Sequence, residues 1–165
     1  MKPLLISVIL LLACSLSGLA QEKKKLYDPS LDGMEQVDQA LAKAQAEDKF
    51  VFIQLGGNWC SWCYRLEDFI KQDTVMYKFI QQNFVVVHAN YSQENQNKAL
   101  MERLQFPQRF GFPVLVILDS QGNKLHTQDT ALLESGSTYD KKKVVNFFKK
   151  WNPRALDPAT YEARR

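Results

Sequence analysis

Two cysteines three residues apart lie inside the run Trp59-Cys60-Ser61-Trp62-Cys63. The apolar stretch Phe50-Val51-Phe52-Ile53-Gln54-Leu55 and a Gly56-Gly57 turn precede them, and the amphipathic stretch Tyr64-Arg65-Leu66-Glu67-Asp68-Phe69-Ile70 follows. The pattern predicts a strand, a loop, and a helix that begins at Cys60. A thiol at a helix N-terminus faces unsatisfied backbone N–H groups and the positive end of the helix dipole. Both favour the thiolate, which is the nucleophilic form. Cys63 falls one turn further on, close enough to close a small disulfide ring. A dithiol so placed can take up or release two electrons by thiol–disulfide exchange.

The rest of the cysteine count sharpens this reading. The chain has 165 residues and three cysteines, and the third, Cys14, lies in the N-terminal stretch. Residues 1–20 have a short positive start at Met1-Lys2, an apolar run from Leu4 to Leu12 and small residues from Ser15 to Ala20. This reads as a secretory signal, too short to span a membrane comfortably, with cleavage after Gly18-Leu19-Ala20. Leu11-Leu12-Ala13-Cys14 also resembles a lipoprotein box, which would anchor the protein to a membrane through Cys14. On the first reading the exported, periplasmic domain keeps only Cys60 and Cys63. A domain this long has room for a core without a covalent staple, and a ring this small would stabilise little. The pair is therefore expected to be reactive rather than structural. A net charge of +3, with short basic runs at Lys23-Lys24-Lys25 and Lys141-Lys142-Lys143, is a poor footprint for nucleic acid.

Residues 21–31 read as a linker, 32–152 as one domain and 153–165 as a loose tail. Asp32-Gly33-Met34-Glu35 is a capping-box variant ahead of a helix carrying Val37, Ala40, Leu41 and Ala44, ending near Asp48-Lys49. Buried strands are expected at 50–55, 84–89 and 114–118, and a further strand near 124–127 after the turn Asp119-Ser120-Gln121-Gly122-Asn123. Helices are expected from Cys60 to Gln72, again after Asp73-Thr74, from Asn95 to Leu104, and from Asp140 to Trp151. Gln105 to Phe112 reads as a loop. Helices between buried strands imply an α/β fold, with a mixed central sheet of four or five strands and helices on both faces.

On these features the chain resembles the thioredoxin superfamily, over roughly Gly33 to Trp151. The resemblance rests on Trp59-Cys60-x-x-Cys63 after a buried strand, the element order, and Gly111-Phe112-Pro113 opening a strand that ends in an Asp-x-x-Gly turn. It is similar to the exported thioredoxin-like proteins with a Trp-Cys-x-Trp-Cys centre followed by a Leu-Glu pair, here Leu66-Glu67. The resemblance implies a thiol–disulfide oxidoreductase. Cys60 would be the exposed nucleophile, Cys63 the buried resolving thiol, and Trp59 a platform beside them. Pro113 would be a cis-proline packed on the disulfide, discouraging metal capture, and Phe112 would offer its backbone to an extended substrate. Trp62 reads equally as a substrate contact or as packing. No cofactor is implied, because the cysteines hold the electrons. The partners implied are cysteine-containing exported proteins and an upstream electron donor, membrane-bound or soluble, with the protein itself a monomer.

Departures from the family pattern leave other readings open. Where family reductases carry a buried acid, six residues before the first cysteine, this chain has Gln54, and the neighbouring-strand position is His88. Gln54 cannot take a proton from Cys63. His88 could, since an unperturbed histidine titrates near about 6.5, although a core histidine bonded to a backbone group is the plainer reading. Glu67 and Asp68 are expected to face solvent and do little. A docking module with a permanently closed disulfide is the main alternative. A metal-handling role is the lesser one, since only His88 and His126 remain as ligands beside the CxxC and a closed zinc site needs four ligands.

Overall fold

Side chains on a strand point alternately to opposite faces, so a strand covered on both sides must be apolar at successive positions. In a computed structural model, which describes residues 25–162, strand β1 (Phe50–Gly56) is such a strand. Val51, Ile53 and Leu55 pack with Val37, Leu41 and Ala44 of helix α1 (Gly33–Ala46) and with Leu100 and Leu104 near helix α4 (Lys98–Arg103). Phe52 packs on the opposite face with Leu66, Ile70, Ile80 and Phe148. These belong to helices α2 (Ser61–Gln72), α3 (Thr74–Asn83) and α5 (Lys141–Lys150). Each such large side chain, fully buried, stabilises the fold by roughly 1.5–3 kcal/mol.

The central sheet has the order β2-β1-β3-β4. Strand β2 (Phe84–Asn90) runs parallel to β1, with Gln54 opposite His88. Strand β3 (Val114–Leu118) is antiparallel to β1, and β4 (Lys124–Asp129) is antiparallel to β3. The parallel pair needs a crossover, which α2 and α3 supply. This is the four-stranded mixed sheet with helices on both faces that the sequence implies. Asp32, Asp73 and Asp140 cap α1, α3 and α5 by accepting first-turn N–H groups. Such caps contribute about 1 kcal/mol each. No helix among the described residues is long and apolar enough to cross a membrane.

Several boundaries differ from expectation, for local reasons. The helix expected from Asn95 starts only at Lys98. Asn95 donates its amide to the Pro29 and Leu31 carbonyls, and Asn97 is left-handed, its side chain bridging Gly33 N and the Asn90 carbonyl. The loop from Gln105 holds a 3-10 turn (Pro107–Phe110). A small hairpin, β5 (Glu134–Ser135) and β6 (Thr138–Tyr139), was not expected. The tail forms short helical turns, α6 (Pro153–Leu156) and α7 (Ala159–Glu162). The expected signal, with Cys14, and residues 21–24 and 163–165 lie outside the described residues.

The stretch expected to be a linker is, from residue 25 onward, a strap across the end of β1. Asn58 Oδ1 accepts from the Leu26 and Tyr27 N–H groups at 3.1 and 3.0 Å, and its Nδ2 donates to the Tyr27 carbonyl at 2.8 Å. The Tyr64 hydroxyl donates to the same Oδ1 at 2.8 Å. Tyr27 is 1% exposed. An apolar pair, Leu26-Tyr27, after three lysines was the available signal. Asn58→Ala removes three main-chain bonds at one stroke. It is expected to lower stability by about 1–3 kcal/mol and to expose residues 25–31 to limited proteolysis. Urea unfolding and mass mapping of the cuts check this, and an unchanged midpoint with no cleavage there would contradict it.

Candidate functional site

Gly56-Gly57 ends β1, and the Cys60 N–H closes the following turn by donating to the Gly57 carbonyl at 2.9 Å. Cys60 is then the N-cap of α2, with its Sγ accepting from the Cys63 N–H at 3.1 Å. The two cysteines form a disulfide, S–S 2.15 Å and Cα–Cα 5.3 Å. The cap position points the Cys60 sulfur at the first-turn N–H groups, where a thiolate would be favoured. Cys63, one turn in, has no exposed surface. Cys60 is more enclosed than expected, at 4% exposed, because Tyr27 packs with both cysteines and Leu26, Trp62 and Phe112 border the cluster. Cys60 is still the one cysteine of the pair that solvent reaches.

Glycine at the end of β1 is required by this packing. A Cβ on Gly56 would lie 2.4 Å from Cys63 Sγ and 2.7 Å from Tyr27 Oη. Gln54 is fully buried; its Nε2 donates to Tyr27 Oη at 2.8 Å and to the Cys63 carbonyl at 3.2 Å. It has a structural bond to the site and no titratable group to offer.

The rim is aromatic. Trp59 is 59% exposed, its Nε1 donates to the Tyr91 carbonyl at 2.9 Å, and its ring meets Phe112 edge-on at 5.3 Å. Tyr91 stacks on the other side of the group, 5.1 Å from Phe112. The Phe112–Pro113 peptide is cis, Gly111 before it has φ +83°, and the Pro113 carbonyl accepts from the Thr130 hydroxyl. Trp62 is half-buried, with the Arg65 guanidinium 4.3 Å from its ring centre and Tyr139 edge-on at 5.4 Å. Of the two tryptophans flanking the cysteines, Trp59 is the more exposed. Tyr27, Asn58 and Tyr91 escaped the sequence reading.

Among the described residues, His88 bonds through its ring to no backbone group and to neither cysteine. Its Nε2 lies 3.2 Å from Glu67 Oε2, and its ring meets Tyr27 edge-on at 5.8 Å. Contrary to the expectation from sequence, Glu67 does not face solvent freely: it is largely covered and also pairs with Lys71 at 2.6 Å. Burial pushes the Glu67 carboxyl up, but the hydrogen bonds from His88 and Lys71 outweigh it and hold the carboxyl at about 2. His126 stacks on Trp151 at 4.4 Å. Among the described residues no three His, Cys, Asp or Glu side chains gather to hold a metal ion.

Residues 32–120 match the family model described as Thioredoxin-like. No curated protein sequence matches the chain. Among solved structures, a disulphide isomerase from Xylella fastidiosa Temecula1 superposes with a TM-score of 0.66 at 26% identity, covering 76% of this chain and 95% of that one. The oxidised C-terminal domain of DsbD from Neisseria meningitidis superposes with a TM-score of 0.51 at 14% identity, covering 72% of this chain and 96% of that one. At that identity the second likeness speaks to the fold alone. A dithiol that closes to a disulfide at a helix N-terminus, on this fold, is a redox-active centre.

The Glu67 pairing carries a stability that depends on pH with a definite sign. Its carboxyl titrates lower in the folded chain than the ordinary 4.5, so the stabilisation is fully present above pH 4.5 and fades as pH falls toward 2. Glu67→Gln is expected to cost about 1–2 kcal/mol at neutral pH, less than the full shift implies because water screens Lys71. The gap between parent and variant should narrow below pH 4.5. Urea midpoints at pH 7 and at about pH 3 measure it; a gap that stays constant or widens in acid would contradict the assignment.

Proposed function

The chain belongs to the thioredoxin-like family, and from that premise we propose that it is an exported thiol–disulfide oxidoreductase acting on cysteine-containing exported proteins. One observation carries the reading: the disulfide at the start of α2 has one sulfur within reach of solvent and one without. In the reducing direction, the Cys60 thiolate attacks a substrate disulfide. A bond forms between Cys60 Sγ and one substrate sulfur, and the other substrate sulfur leaves as a thiolate. The Cys63 thiolate then attacks Cys60 Sγ, closes the Cys60–Cys63 disulfide and expels the second substrate thiolate. The substrate gains two electrons and takes two protons from water. The reverse sequence oxidises a substrate dithiol, and an upstream thiol or disulfide partner resets the pair.

The exposed Trp59 ring and the half-buried Phe112 beside it give an extended substrate an apolar platform next to Cys60. Docking there brings the substrate sulfur to Cys60 rather than to Cys63. The charge-free end of β1, with Gln54 in place of an acid, leaves Cys63 without a carboxylate base, so its ionisation depends on its polar neighbours. Export is supported by the pattern of residues 1–20.

Insulin reduction with dithiothreitol as donor tests the activity. The parent protein is expected to speed precipitation of the insulin B chain. Cys60→Ser should reduce the rate to that of dithiothreitol alone. Cys63→Ser should instead accumulate a covalent complex with a substrate disulfide, visible on a non-reducing gel and removed by reductant. A parent rate equal to the uncatalysed one would contradict the proposal and favour a docking module.

A further inference from the structure

Two buried polar groups behind the disulfide are incompletely paired. Gln54 Nε2 faces both Tyr27 Oη and the Cys63 carbonyl. The carbonyl can only accept, so it fixes which end of the Gln54 amide lies there: the NH2. Tyr27 Oη therefore accepts from Gln54, and its own proton has no acceptor among the described residues. Gln54 Oε1 is likewise buried without a donor. Buried polar groups are normally paired, and an unpaired one needs a reason. The sulfur of Cys63 supplies one. It and Tyr27 Oη lie no more than about 5 Å apart, since one Cβ position on Gly56 is 2.4 Å from the first and 2.7 Å from the second.

We propose that the Tyr27 hydroxyl donates a hydrogen bond to the Cys63 sulfur once the disulfide is open, favouring the Cys63 thiolate that resolves the mixed disulfide, with Gln54 positioning the phenol. This rests on the reading of Cys60 and Cys63 as an exchanging pair. The contact substitutes a neutral donor for the acid that family reductases carry on the strand. No proton leaves Tyr27. Cys63 S⁻ attacks Cys60 Sγ, the Cys60–substrate S–S bond breaks, and the substrate thiolate takes its proton from water. Burial raises the Tyr27 hydroxyl above the usual tyrosine range, so it stays a donor throughout the reaction. The Asn58 clamp on the Tyr27 backbone holds the ring in place. The strap is thus part of the site rather than a route into it.

The titratable groups facing Tyr27 are Glu67 and Tyr64 from α2, His88 from β2, and Tyr139 from β6. The test must separate Tyr27 from these. The resolving step is followed by stopped flow, in the parent and in Tyr27→Phe, as the reduced protein reacts with an excess of a model aromatic disulfide across neutral to alkaline pH. Loss of the bond is expected to lower the thiolate fraction at neutral pH about tenfold. The more basic thiolate that remains is the better nucleophile, with a Brønsted slope of about 0.4–0.5, so the net rate falls only about threefold. In alkaline solution Cys63 is fully ionised in both proteins, and Tyr27→Phe should resolve roughly threefold faster than the parent. The same crossing should persist in a His88→Gln background. Gln54→Leu, which releases the phenol from its anchor, should shift the profile in the same sense by a smaller factor, and stands as the test if Tyr27→Phe does not fold. Rates that match the parent's at every pH, or that fall by one constant factor throughout, would overturn the assignment, because a merely structural loss slows both limbs alike. A parent protein with no exchange at all would instead overturn the function on which the assignment rests.

Discussion

The Cys63 sulfur sits against the Cα of Gly56, where any side chain would collide with it and with the Tyr27 hydroxyl. That contact sets the depth of the second cysteine, and much else follows from it. β1 must end in glycine, the strap at residues 25–31 must lie down over the gap, and Asn58 must turn inward to satisfy the strap's backbone. Cys60, held by the same turn, is left at the lip of the enclosure. The difference in exposure between the two sulfurs, on which the proposed order of attack rests, is therefore a packing result. Helix dipole and cap hydrogen bonds then act on sulfurs that packing has already placed.

Charge is kept one layer away from the sulfurs. The Gln54 amide, the Tyr27 phenol and the Cys63 carbonyl form a neutral hydrogen-bonded group at the centre. The ionised carboxylate of Glu67 stands outside it, matched to His88 and Lys71. An unpaired carboxylate on β1 would be costly in so enclosed a place, and the chain avoids it. The Glu67–His88 contact joins α2 to β2 beneath the site, and Lys71 holds the same carboxylate from within α2.

The fold was legible because its signals are local and repeated. Val51, Ile53 and Leu55 on one face of β1 and Phe52 on the other announce a strand buried on both sides, and the aspartates at 32, 73 and 140 announce helix starts. The cysteine pair and its helix were equally plain. What sequence periodicity does not carry is pairing between segments far apart in the chain. Asn95 and Asn97 read as helix until their side chains are seen bonding to residues 29, 31, 33 and 90. Tyr27 read as linker because its partners, Gln54, Asn58 and Cys63, lie some thirty residues away and enclose it only when folded. Glu67 read as solvent-facing because its helix face is polar, yet that face meets His88 on β2.

The proposed exchange runs in a fixed order, Cys60 first and Cys63 second, and time-resolved acid quenching reads that order directly. Reduced protein is mixed at neutral pH with a small asymmetric disulfide, stopped with acid at increasing times, and each cysteine's state is mapped by peptide mass. The packing predicts an adduct on Cys60 that rises, then decays into the Cys60–Cys63 disulfide, with no adduct on Cys63. An adduct appearing first on Cys63, or one on Cys60 that persists with Cys63 still free, would contradict it.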